Sequence, residues 1–212
     1  MRIVLRGFHL HSLTLFLCLL SKSEPPMSPN SLLRSSKNSA RAGLPCYKFP
    51  WKIPWVNIES IRILQELDYE GIYITLSKEH IELLKIMKEK GVKPEHIHFI
   101  DGISQMYGSK MLESPNVTYV AGPLSVDAIS QEVTSIAQKM KGNKKFVFLD
   151  SITTVLLYNS LERTMQFSTF LTESLKKLKM VGIVVSVSKG YVNETLMKEL
   201  SKASNEVINL QG

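Results

Sequence analysis

From residue 56 onward, apolar positions recur alternately at helical and at strand spacing. Residues 56–66 place Ile58, Ile61 and either Leu64 or Ile63 on one helical stripe. Residues 71–76 form an apolar strand, and Ser77 is placed to cap a helix burying Ile81, Leu84 and Met87 and ending at Gly91. A second strand over 96–100 runs into Asp101-Gly102, and a third covers 117–120. Ser125 opens a helix with Ile129, Val133, Ile136, Ala137 and Met140 on one face. Residues 146–149, Phe-Val-Phe-Leu, read as a strand buried on both faces, with Asp150 at its C-terminal end. A long helix over 161–179 turns Phe167, Phe170, Leu171, Leu175 and Leu178 inward. A strand at 182–187, a helix at 194–203 and a strand at 206–210 close the chain. Strands alternating with helices imply crossover connections. The expected fold class is therefore three-layer α/β, a mostly parallel twisted sheet with helices on both faces.

The first 54 residues are patterned differently. Residues 13–20 form an apolar run too short to span a bilayer, preceded by Arg2 and Arg6 and followed by no small-residue cleavage site. Residues 27–47 are rich in Ser, Asn, Arg and Pro and read as a linker. Residues 1–47 are accordingly expected to be a disordered or mis-started extension, with the true start at Met27. Residues 48–212 are expected to be the domain, and deletion of 1–47 to leave its fold intact. Phe49, Trp51 and Trp55 lie between prolines, which disfavour a central strand. They are candidates for an edge segment or a docked contact arm.

Charge changes the picture once it is located. The chain carries a net +7, and all of this excess falls in residues 1–54; residues 55–212 balance acids against bases. A nucleic-acid-binding domain usually carries a net basic footprint, so the neutral core ranks nucleic acid last among partners. Both cysteines, Cys18 and Cys46, precede the domain, which argues against a disulfide scaffold or a thiolate metal site. A cytoplasmic location with no membrane association is expected.

The functional edge of such a sheet lies beyond the strand C-termini. It gathers Ser77, Asp101, Gly122, Asp150, Ser151 and Ser188, with Lys189 one residue further. Asp101 and Asp150 could form a carboxylate pair, which can bind metal or share a proton. His96 and His98 alternate along a strand, a spacing that can chelate zinc.

Gly71-Ile72-Tyr73-Ile74-Thr75-Leu76, Asp101-Gly102-Ile103-Ser104, Gly122-Pro123-Leu124-Ser125 and Phe148-Leu149-Asp150-Ser151-Ile152-Thr153-Thr154 resemble the RecA superfamily, in its KaiC-like and RadA-like archaeal branch. The resemblance covers about three quarters of the chain. It implies a RecA-like, P-loop NTPase-like core in which Asp150, Ser151 and Lys189 would be the candidates for nucleotide and Mg²⁺ binding. The departures bear on the reaction. No Gly-Lys pair occurs anywhere in the chain, so the phosphate-binding Gly-x-x-x-x-Gly-Lys-Ser/Thr is missing. Where relatives carry catalytic glutamates stand Ser77 and Lys78, with Glu79 one residue later. The expectation is a non-catalytic, pseudo-ATPase module, with no catalytic residues and no cofactor, that works through a protein partner or self-association. The competing expectation is a residual ATP binder or slow ATPase completed by a partner subunit.

Overall fold

A computed structural model describes residues 2–6, 46–48, 53–186, 193–204 and 206–211, with side chains described for 57–182 and 193–204. Its strands are β1 (Arg2–Arg6), β2 (Cys46–Lys48), β3 (Glu70–Thr75), β4 (Ile97–Asp101), β5 (Val117–Tyr119), β6 (Lys145–Asp150), β7 (Val181–Ser186) and β8 (Glu206–Gln211). The helices are α1 (Ile53–Glu66), α2 (His80–Glu89), α3 (Val126–Lys139), α4 (Ile152–Tyr158), α5 (Leu161–Lys177) and α6 (Glu194–Lys202).

One eight-stranded sheet runs in the order β2-β8-β1-β7-β6-β3-β4-β5. From β7 to β5 all neighbours pair in parallel. Alternation along these strands builds two cores. Tyr73, Phe99, Phe146 and Phe148 face α1 and α2, packing on Ile58, Ile61, Leu64, Leu83 and Met87. Ile72, Ile74, Ile100, Val147 and Leu149 face the opposite way, against Ile129 and Val133 of α3, Val155 of α4, Leu171 and Leu175 of α5 and Leu200 of α6. The expected three-layer α/β arrangement is present, with its layers set by a strand period of two.

Several expectations need correction. Residues 2–6 were expected in an appended extension, yet β1 lies inside the sheet, antiparallel to β7 on one side and to β8 on the other. Cys46–Lys48 pairs with β8 as the sheet's edge strand, where a short segment before prolines is tolerated. The first helix begins at Ile53, not at 56; Pro54 fits its first turn, where the missing N–H costs nothing. Residues 152–158 form α4, a helix that the apolar spacing does not predict. Phe170, expected inward, is exposed on α5, and the buried positions of α2 are His80, Leu83 and Met87. Phe49, Trp51 and Lys189 lie outside the described residues, and Trp55 falls in the first turn of α1 with its side chain outside them. Among the described residues no helix is long and apolar enough to cross a membrane.

Candidate functional site

The strand register sets Asp101, Thr75 and Asp150 in one row across the C-terminal ends of β4, β3 and β6. All three share the face of Tyr73, Phe99 and Phe148, so their side chains point toward α1 and α2. Thr75 stands between the two acids. Two strand spacings, about 10 Å, therefore separate their backbones. The expected carboxylate pair does not form, and each acid has its own set of partners.

Asp150 is 6% exposed. Its Oδ2 accepts hydrogen bonds from Asn57 Nδ2 at 3.0 Å and from the Tyr73 hydroxyl at 2.9 Å. Asn57 comes from α1, one turn before Ile61 on the buried stripe. Tyr73 is fully buried on β3, stacked on Phe148 with ring centroids 4.9 Å apart. Burial pushes the Asp150 carboxyl above its ordinary value. Donation from Tyr73 and Asn57 and the Lys78 charge offset this only in part. Burial, with the Asp150 charge beside it, also raises the Tyr73 hydroxyl well above its ordinary value. Among the described residues, Asn57 Oδ1 is buried without a hydrogen-bond partner. Aiming the amide N–H at the carboxylate leaves the carbonyl orphaned, a cost of about 1–3 kcal/mol.

Asp101 is fully buried and densely bonded. Its Oδ1 accepts from the backbone N–H groups of Ile103 and Ser104, both at 2.9 Å. Its Oδ2 accepts from the Ser104 hydroxyl at 2.6 Å and from the His80 N–H at 2.9 Å, with His80 Nδ1 also at 2.9 Å. Burial alone would raise this carboxyl. The hydrogen bonds from His80, Ser104 and Ile103 outweigh burial and hold it below its ordinary value. The same residue type, two strands apart, is thus shifted in opposite directions by the number of donors. Asp101 also replaces the expected Ser77 cap: the N-cap position of α2 is Glu79, which makes no side-chain cap bond, and Asp101 takes up the His80 N–H from the neighbouring strand.

Ser151 is the N-cap of α4, its Oγ accepting from the Thr154 N–H at 3.2 Å. His96 lies exposed in a short 3-10 turn, Pro94–His96, rather than in β4. His98 is in β4 with Nε2 2.9 Å from Thr118 Oγ1, so the two rings do not form the expected chelating pair. Asn57 and Tyr73 were not singled out in the sequence. The available signal was a polar residue on an apolar helical stripe and a hydroxyl inside a buried strand, both of which need a partner.

Residues 76–212 match a family described as a family of unknown function (DUF7090). The chain belongs to that family. The matched segment includes Asp101 and Asp150, while Asn57 and Tyr73 lie upstream of it. No curated protein matches the chain. Among solved structures, a KaiC-like protein from the hyperthermophilic archaeon Pyrococcus horikoshii OT3 aligns at 16% identity with a TM-score of 0.49, covering 70% of this chain and 62% of that one. An uncharacterized protein from Pyrococcus horikoshii, in complex with an unknown peptide, aligns at 15% identity with a TM-score of 0.40, covering 73% and 61%. This chain spans about six tenths of the length of each.

The opposite shifts of the two acids carry opposite pH signatures. Because the folded Asp150 carboxyl titrates above its unfolded value near 3.8, stability falls as pH rises through that interval. In Asp150→Asn that component is absent. Relative to the unmodified chain, this variant is expected to gain stability as pH rises from about 4, with a slope of at most about 1.4 kcal/mol per pH unit. Urea midpoints measured across that range read the difference directly; a constant gap would show that Asp150 is not shifted upward.

Proposed function

We propose that this chain is a RecA-like domain that has given up nucleotide hydrolysis and serves as a protein-contact or regulatory module. The observation that carries the reading is the surroundings of Asp150. The carboxylate expected to hold Mg²⁺ is buried, and one of its oxygens receives two donors, Asn57 Nδ2 and the Tyr73 hydroxyl. Those donors present their positive ends where a cation would need open lone pairs. Mg²⁺ also takes substrate phosphates as ligands, and the chain lacks the loop that grips them. Only residues 49–52, Phe-Pro-Trp-Lys, separate β2 from α1, with no glycine and a proline that has no N–H to offer a phosphate. The residues present do not fit the metal, and no reaction step is derived through it.

The contact role is supported by the loops at the same edge. Leu124, just after β5, is 64% exposed, and Leu157, near the end of α4, is 63% exposed. The two loops are tied together by Asn159 Nδ2 donating to Pro123 O at 2.9 Å. Tyr107, in the loop after β4, is 67% exposed. Large apolar groups held outward at the functional edge are more useful to a partner than to the monomer.

Equilibrium binding of a fluorescent ATP analogue with Mg²⁺ to the full chain tests the reading, beside Asp150→Ala. No saturable binding up to millimolar nucleotide is expected for either protein. Saturable binding that Asp150→Ala abolishes would overturn the reading in favour of a residual ATP binder.

A further inference from the structure

The balanced charge of residues 55–212 conceals a local cluster of lysines that the fold assembles. β6 and β7 are neighbours, with Phe146 paired to Val181, so the segments leading into them enter the sheet side by side at its N-terminal edge. Residues 139–145 read Lys-Met-Lys-Gly-Asn-Lys-Lys and residues 176–179 read Lys-Lys-Leu-Lys. Neither contains an acid. Lys139, Lys141, Lys144, Lys176, Lys177 and Lys179 are all exposed. Arg6, at the end of β1, is in register with Gly182 and adds a basic position to the same edge. Acids at this edge of the sheet are Glu66, Asp68 and Glu70 leading into β3, Glu89 and Glu95 leading into β4, and Glu206 at the start of β8; of these, Glu66 pairs with Arg62 and the Glu70 carboxylate is engaged by the Gly142 N–H at 2.6 Å. Glu79, Glu82, Asp127 and Glu162, at or near the starts of α2, α3 and α5, lie toward the opposite edge of the sheet.

Lysines at helix C-termini also complement the helix dipole, which accounts for part of this cluster. Lys145 does so directly, its Nζ donating to the carbonyls of Ala137 and Met140. Other members are not explained that way. Lys141 lies beyond the end of α3. Among the described residues, no carboxylate is within ion-pair distance of Lys141, Lys176, Lys177 or Lys179. Lys179 has φ of 54°, in the left-handed region where a helix exit ordinarily takes glycine or asparagine. A charged side chain stands at a backbone position that disfavours it.

We propose that this lysine edge, formed by residues 139–145 and 176–179, binds the phosphate backbone of nucleic acid without reading its sequence. Lysine is depleted from protein–protein interfaces, whose centres are apolar, and this patch presents no exposed apolar residue. Interfaces with nucleic acid are strongly basic and polar, as this one is. Compact lysine charges suit phosphate contact rather than bidentate base recognition. The proposal goes beyond the protein-contact reading and uses the opposite edge of the sheet. It also revises the low rank given to nucleic acid above, because a net charge averaged over a domain does not reveal how the fold distributes it.

The test is fluorescence anisotropy of a labelled 20-base-pair duplex with the full chain, from about 50 to 200 mM salt, the range over which phosphate contacts lose much of their strength. Binding is expected at low salt, with log affinity falling linearly with log salt. The variant Lys141→Ala/Lys176→Ala/Lys177→Ala is expected to bind at least about tenfold more weakly and to flatten the slope by about 0.9 for each phosphate no longer neutralised. Lys179→Gly is expected to weaken binding while melting no lower than the unmodified chain, which separates a binding role from a structural one. No binding at 50 mM salt would overturn the proposal. So would loss of binding in Arg34→Ala/Lys37→Ala/Arg41→Ala with the patch variants unaffected, or displacement of the duplex by polyglutamate at an equal concentration of charge, which would indicate an acidic protein as the occupant.

Discussion

Asp101→Ala is expected to destabilise the fold by about 4 kcal/mol, the largest effect of any single side chain at this edge. The carboxylate collects the N–H groups of His80, Ile103 and Ser104 and the Ser104 hydroxyl, and holds the buried His80 ring through Nδ1. Removing it strands several donors where water does not reach, and each costs about 1–3 kcal/mol before relaxation. Those donors span the start of α2 and the turn after β4, so the loss loosens two connections at once. Asp101→Asn retains one acceptor oxygen and is expected to lose about half as much. The acid limb should change as well. A carboxyl held low contributes stability above its unfolded pKa that disappears as pH falls through its folded value. Asp101→Ala should lack that component. Urea unfolding of the three proteins between pH 3 and 7 measures both effects; a loss below about 1 kcal/mol for Asp101→Ala would mean that these bonds are not made together.

Val4→Pro is expected to cost about 3 kcal/mol or to abolish cooperative unfolding. Val4 pairs with Val184 of β7 and with Val207 of β8, so β1 is hydrogen-bonded along both edges. Proline removes a ladder donor and sets its ring against a neighbouring strand, a substitution sheets accept at their edges and not in their interiors. A larger change at the same place is expected to have the opposite outcome to the one the sequence suggests. Deleting residues 1–47 removes β1 and most of β2, leaving β7 and β8 without the strand that joins them. The truncated chain is expected to unfold without a cooperative transition. Unchanged stability in either variant would place residues 2–6 outside the sheet.

How far these features could be read in advance depended on how local they are. The strand ending at Asp150 was legible because Phe-Val-Phe-Leu is apolar on both faces, and both faces are covered. β1 was not legible. Arg-Ile-Val-Leu-Arg is five residues long, its partners lie about 180 residues away, and the apolar run after it resembles a leader. α4 was not legible either, because Ile152-Thr153-Thr154-Val155 is β-branched and disfavours helix. Its helix depends on the Ser151 cap and on burial of Ile152 and Val155, which are tertiary facts. The row Asp101–Thr75–Asp150 follows from register between three strands, and the lysine edge from adjacency of β6 and β7. Neither can be seen along the chain. The lock on Asp150 was half legible: Asn57 shares a stripe with Ile61 and Leu64, and Tyr73 sits in an apolar strand, yet nothing local joins them.

Under the proposed reading, Asp150 belongs to an internal lock with Tyr73 and Asn57 rather than to a metal site. A double-mutant cycle with Asp150→Asn and Tyr73→Phe, read by urea unfolding with and without millimolar Mg·ATP, tests it most directly. The expected result is a coupling of about 1–3 kcal/mol between the two residues that Mg·ATP leaves unchanged. Additive effects of the two substitutions, or a stabilisation by Mg·ATP seen only when Asp150 is present, would contradict it.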